Sequence, residues 1–97
     1  MSVIGKGKIT TQKGVSVGTT ATKLLDPNPN RIRAELVNDS ATEAYAGPTS
    51  AVTATANDAN QGVPMVQNAV INDMDTNGAW YGIVATGTAT IIVTEVS

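Results

Sequence analysis

Apolar and polar residues alternate with a period of two along most of this 97-residue chain, and no stretch sustains the 3.6-residue period of a helix. The clearest case is Arg31 to Asn38, where Ile32, Ala34 and Leu36 share one face and Arg31, Arg33 and Glu35 the other. Shorter runs of the same kind are Val15–Val17, Thr20–Leu25, Ala44–Ala46, Val63–Val66 and Ala69–Ile71. Two β-branched or aromatic runs, Ala79–Ala85 and Thr88–Val96, end the chain. Between these runs lie residues that bend a backbone. Asp26-Pro27-Asn28-Pro29-Asn30 and Asn38-Asp39-Ser40 predict loops, and Asn77-Gly78 predicts a hairpin turn. The last three strands are therefore expected to form a meander. Ile91-Ile92-Val93 is apolar on both faces, so the last strand is expected to be central in its sheet or covered by a partner. Seven or eight short strands at regular spacing predict an all-β fold, a small antiparallel β-sandwich or barrel-like pair of sheets.

Two segments fall outside this pattern. Residues 1–14 hold three Lys and three Gly and little to bury, which predicts an extended basic N-terminal arm, with residues 15–97 as the sandwich domain. Residues 48–61 are Thr-, Ala- and Asn-rich, nearly low in complexity, and long for a loop in a small domain. Val52 is the one residue there expected to seed a brief edge strand.

Composition limits the core and the chemistry. A chain of this size buries about 60–65% of its unfolded surface. It has no Phe, one Trp and two Tyr, so Ala, Val, Ile and Leu must fill the interior, and oligomerisation or docking on a partner is expected to help. Trp80 and Tyr81 are consecutive and must point to opposite faces; Trp80, in phase with Val84, is expected to be the inner one. Absence of Cys excludes disulfides and thiolate chemistry, and absence of His removes the usual neutral-pH base and a common metal ligand. No cofactor and no enzyme activity are expected. The first residues show no signal-peptide pattern and no segment approaches a membrane span, so a soluble protein made in a reducing compartment is expected.

Charge is distributed unevenly. All six cations (Lys6, Lys8, Lys13, Lys23, Arg31, Arg33) lie in residues 1–33, opposed there only by Asp26; residues 34–97 hold seven acids and no cation. Such asymmetry marks an interaction segment. The basic arm can meet nucleic acid or an acidic protein surface, and neighbouring copies can satisfy one another. Ile4, Lys6, Lys8, Ile9 and Lys13 are its candidate partner-binding residues.

Each motif with a chemical meaning has a simpler structural one. Asp73-Met74-Asp75-Thr76-Asn77-Gly78 matches the first half of a calcium-binding loop, yet Val84 stands where the bidentate Glu belongs; a hairpin turn rich in Asp and Asn is the better reading. Gly5-Lys6-Gly7-Lys8 lacks the spacing of a phosphate loop, and three Lys without interleaved aromatics fall short of a nucleic-acid footprint. Asn38-Asp39-Ser40 is a glycosylation sequon better explained as a turn. Pairs such as Asp73/Asp75 and Asp39/Glu43 read as solvated loop acids rather than acid–base dyads.

The run Gly14–Leu25, then Asn28-Pro29-Asn30-Arg31 and the strand closing on Asn38, resembles small virion proteins of tailed bacteriophages. Tyr45-Ala46-Gly47, Gly62-Val63-Pro64, Tyr81-Gly82-Ile83, Gly87-Thr88-Ala89 and Glu95-Val96 follow in the same order, so the resemblance covers residues 14–97. It implies a structural β-sandwich protein of the capsid decoration (cement) or head or tail fibre type, with no catalytic residues. A trimer bound to the major capsid protein or another virion structural protein, on the capsid exterior, is the expectation. Partners of membrane or specific nucleic-acid type are not expected. Residues 1–14 and the long 48–61 stretch depart from the shared pattern. A tail, baseplate or fibre module is the nearest alternative, and a carbohydrate-binding module the alternative of a different class.

Overall fold

A computed structural model describes residues 7–97. Eight strands form: β1 (Ile9–Val17), β2 (Thr22–Leu25), β3 (Arg33–Asn38), β4 (Ala44–Gly47), β5 (Val63–Met65), β6 (Val70–Asp73), β7 (Trp80–Val84) and β8 (Ala89–Val96). They pack as two antiparallel four-stranded sheets, one ordered β1-β8-β3-β6 and the other β2-β7-β4-β5. The domain is thus a β-sandwich. The pairs β1–β8, β2–β7, β3–β6 and β4–β5 are those of one long antiparallel ribbon rolled up, with β3–β8 and β4–β7 added where the roll closes. That arrangement is a jelly roll.

This topology corrects the expected C-terminal meander. β6 and β8 belong to the first sheet and β7 to the second, so Asp75–Gly78 and Ala85–Thr88 are bridges between layers, not hairpin turns. Period-two patterning reports only that each strand has a buried face. The identity of its neighbour is decided by the packing of the two sheets.

The arm boundary is also corrected. Residues 9–14 belong to β1, which pairs with β8 from Ile9↔Val96 to Val17↔Ala89, with a bulge between Ile9 and Thr11. Ile9-Thr10-Thr11 has strong strand propensity. The segment does not alternate because β1 is a sheet edge, where inward positions such as Thr11 and Lys13 open onto a cleft instead of the core. Gly14, opposite Ile92, sits in mid-strand. Ile4 and Lys6 lie outside the described residues.

The core fills the space between the layers with aliphatic side chains. Leu24, Leu36, Met65, Ile91, Val17, Val84 and Val93 are its largest fully buried apolar members. Each contributes roughly 1.5–3 kcal/mol by leaving water. β8 is central in its sheet, as the doubly apolar Ile91-Ile92-Val93 run requires, and its burial alternates strictly. Trp80 is in phase with Gly82 and Val84 and packs against this core, while Tyr81 faces outward; the indole is only half-buried. Val52 does not seed a strand. It is buried as a plug under the 48–62 loop, beside a single parallel bridge between Thr53 and Gln61. Gly62 makes this possible, since a Cβ there would fall 2.9 Å from the backbone N and O of Ala46.

Two buried polar groups hold opposite ends of the sandwich. Asn38, fully buried at the end of β3, donates from its amide to Thr42 O at 2.9 Å and Met65 O at 2.7 Å, binding β3 to the loop that follows it and to β5 of the other sheet. At the other end the Arg31 guanidinium donates to Glu95 Oε2 at 2.9 Å, to Gly78 O at 2.7 Å and to Asp26 O at 2.8 Å. Glu95 is buried on the inner face of β8 and also accepts from the Thr10 and Thr11 hydroxyls at 3.5 and 3.4 Å.

Replacing Arg31 by Ala is expected to destabilise the domain by about 3–5 kcal/mol, because it strands a buried carboxylate. The double change Arg31→Met with Glu95→Leu is expected to recover much of that loss in urea unfolding. A double variant no more stable than Arg31→Ala would show that the carbonyl contacts, not the ion pair, hold this end.

Candidate functional site

The sequence places partner binding on the basic N-terminal segment, and the structure shows what becomes of its charges. Three cations are satisfied within the molecule. Arg31 is buried against Glu95, Arg33 lies 3.6 Å from Glu35, and Lys23 lies 3.1 Å from Asp26. The hydrogen bond to Asp26, reinforced by its charge, raises the pKa of Lys23. Among the described residues Lys8 and Lys13 have no acidic partner within ion-pair distance. They belong to β1 and its entry, together with Ile9, which is 60% exposed. The structure therefore places Lys8, Ile9 and Lys13 on one edge of a sheet rather than on a free arm.

Pairing registers show what the outer face of that sheet presents. Gly14, Ile92, Val37 and Val70 lie at one level on β1, β8, β3 and β6, on the face turned away from the core. Gln12, Thr94, Glu35 and Asn72 form the next level. An apolar row four strands wide thus borders a polar one. The sequence showed only its separate members, because registry between strands distant in sequence is not legible locally. On the second sheet Tyr81 and Tyr45 point outward from adjacent strands, β7 and β4, with Ile83 opposite Tyr45 and Pro64 beyond it. The Tyr45 hydroxyl donates to Glu43 at 2.8 Å, which with partial burial raises its pKa.

Two clefts indent the molecule. One, of about 290 Å³, opens between the β1 and β2 edges and is lined by Lys13, Lys23, Leu24, Asp26, Pro27 and Glu95 among others. The other, of about 300 Å³, lies under the long loop between Val52, Ala46, Val63, Gln61 and Trp80. In the first cleft Lys23 is engaged with Asp26 and Glu95 with Arg31, and Lys13 has no acid within ion-pair distance among the described residues.

The calcium-like motif is a capped turn. Asp73 Oδ1 accepts the backbone N–H groups of Asp75 and Thr76, both at 3.0 Å, and Oδ2 accepts the Thr76 hydroxyl and the Trp80 indole N–H, the latter at 2.9 Å. Both oxygens are therefore committed. Burial alone would raise the Asp73 pKa, but these four donors outweigh it and hold the carboxyl down at about 2. Among the described residues no group of three or more acids or other metal-ligating side chains converges, and no helix is long and apolar enough to cross a membrane.

No family model matches the chain, and no curated protein or solved structure matches it. The resemblance to phage virion proteins accordingly stands on the residues quoted for it.

Two outcomes follow from Asp73. Because its folded pKa lies below the ordinary carboxylate value of about 3.9, the unfolded chain takes up the proton first, and the stabilisation is complete above that value. It is lost as pH falls from about 4 towards 2, amounting to about 2 kcal/mol. Asp73→Asn is expected to flatten this acid limb in a pH series of melting curves; an unchanged limb would assign it to other carboxylates. Millimolar calcium is expected to leave the melting temperature of the unmodified chain where it is, and a rise of several degrees would restore the metal-site reading.

Proposed function

We propose that this chain is a capsid decoration protein, a structural virion component that attaches to the outer surface of a tailed-phage head. The observation that carries the reading is the pairing of an ordered series of phage-like motifs over residues 14–97 with a jelly-roll sandwich, an architecture that viral capsid domains use. A fold alone does not specify function. The β1-β8-β3-β6 sheet supplies a suitable contact surface: the apolar Gly14–Ile92–Val37–Val70 row on its outer face for burial, and at its β1 edge Lys8, with Lys13 on the cleft side, for attraction to an acidic partner.

Attachment to a shell has its own physical logic. A homo-oligomer, with a trimer as the proposed form, presents several copies of one weak contact, and multivalency turns modest affinities into firm attachment. The partner would be the major capsid protein or another virion structural protein. A tail, baseplate or fibre module uses the same surfaces at another position on the particle, and labelled cryo-EM of virions separates the two.

One observation favours a second reading. Tyr45 and Tyr81 project from neighbouring strands of the other sheet, and aromatic rings on one sheet face can stack on sugar rings; lectins also use the jelly roll. A glycan array with a signal lost in both Tyr45→Ala and Tyr81→Ala would favour a carbohydrate-binding module.

The decoration reading is tested by co-sedimentation with empty expanded capsids. Binding is expected to weaken as salt rises, since exposed charges are screened within about 8–10 Å at physiological ionic strength. Lys8→Gln with Lys13→Gln is expected to weaken it about tenfold, equivalent to about 1.4 kcal/mol, while leaving the melting temperature unchanged. Retardation of duplex DNA at physiological salt with no capsid binding would reject the reading. Deletion of residues 2–13 is not a clean test, because it removes half of β1 and uncovers one edge of β8.

A further inference from the structure

Both edges of one sheet carry exposed apolar side chains, while Val63 and Ile32 are exposed elsewhere. In the β1-β8-β3-β6 order, β1 and β6 are the edges. β6 and its end carry Val70 (52% exposed) and Met74 (69%), and β1 opens with Ile9 (60%). β1 is also the longest edge strand of the molecule, at nine residues. Long edge strands with exposed apolar groups invite pairing with another chain.

Charge decides which pairing is favoured. β1 and its entry carry Lys8, and Lys13 on the cleft side, and no acid; β6 ends on Asp73, whose carboxylate is held within its own turn, followed by exposed Asp75, with no cation nearby in sequence. Pairing β1 with β1 of another copy sets lysines along the same ladder, and pairing β6 with β6 does the same with acids. Like charges across a ladder are destabilising. Pairing β1 with β6 brings opposite charges together.

Strand direction permits this pairing. All neighbours within the sheet are antiparallel, so across four strands β6 runs opposite to β1. A copy placed edge to edge in the same orientation therefore offers its β1 antiparallel to β6. The registers then set the match. Val70 lies level with Gly14, and Asn72 with Gln12. Continuing those levels into the next copy lays the exposed Val70 side chain over the bare Gly14 backbone and pairs the Asn72 and Gln12 amides. It also carries exposed Asp75, just beyond the end of β6, towards Lys8.

We propose that copies of this chain associate head to tail, β6 of one adding to β1 of the next, so that their sheets become continuous. The contact is heterologous and generates a closed ring where its rotation permits, or a fibre where it does not. This deepens the homo-oligomer part of the proposed function and is independent of the capsid part, since only the purified chain is needed to test it.

The chain has no cysteine, which makes cross-linking clean. Gln12→Cys and Asn72→Cys alter exposed positions and are expected to melt as the parent does. A mixture of the two variants under mild oxidation is expected to give a covalent dimer containing one of each, because paired strands hold Cα atoms about 4.5–5.5 Å apart, within disulfide reach. Either variant alone is expected to give none. Val70→Lys is expected to weaken self-association by about tenfold in light scattering. Dimers from Gln12→Cys alone would replace the proposal with a two-fold β1 contact. A sharp monomer mass for the parent at high concentration, with no mixed cross-link, would overturn it.

Discussion

Arg31 is the joint on which this end of the sandwich depends. Its guanidinium reaches the carboxylate of Glu95 on β8, the carbonyl of Gly78 before β7 and the carbonyl of Asp26 after β2. One side chain thus ties both sheets and two of the loops that cross between them. Burying such a charge is unfavourable in itself, and only a complete set of partners offsets the lost hydration. The site is complete, since Thr10 and Thr11 supply further donors to Glu95. Because those threonines belong to β1, the same network fixes the first strand against the last. In a core built of Val, Ile, Leu, Ala and Met without a fully buried aromatic ring, this directional lock supplies specificity that volume alone does not.

The consequences extend to the surface. Nearly every connection crosses from one layer to the other, and only β4 and β5 are both consecutive and paired. Stability is therefore collected from contacts between residues far apart in sequence, which cost more loop entropy to form. It also leaves each sheet with two open edges. Polar devices cover the ends of the sandwich, with Asn38 at one and Arg31 at the other, whereas the edges of the β1-β8-β3-β6 sheet carry exposed Val70, Met74 and Ile9. The physical features that keep the monomer closed and those that present a surface to other copies are thus separated in space.

The asymmetry of charge illustrates how a sequence signal changes meaning on folding. Six cations in the first third predict a basic arm. Arg31, Arg33 and Lys23 find acids within the fold, and two of those acids, Glu35 and Glu95, come from the acidic remainder of the chain. Among the described residues, what remains for a partner is Lys8 at the entry to an edge strand and Lys13 on it.

The sequence by itself determined the class of fold and some part of each of the eight strands, because strand burial is a period-two property that each segment carries locally, as in Arg33–Asn38 and Ala89–Val96. It placed a turn at Asp73–Gly78, which the structure shows capped by Asp73, though as a connection between sheets and not the expected hairpin. It did not determine that β7 leaves the sheet of β6, nor that Ile9–Gly14 is strand rather than arm. Asn77-Gly78 permits a tight turn equally well within a sheet or between two sheets, and an edge strand needs no alternating core face. The row Gly14–Ile92–Val37–Val70 likewise exists only in the tertiary structure. Its members come from four strands spread over 79 residues, and registry across a sheet is set by which strands meet, a choice made by the packing of the whole core.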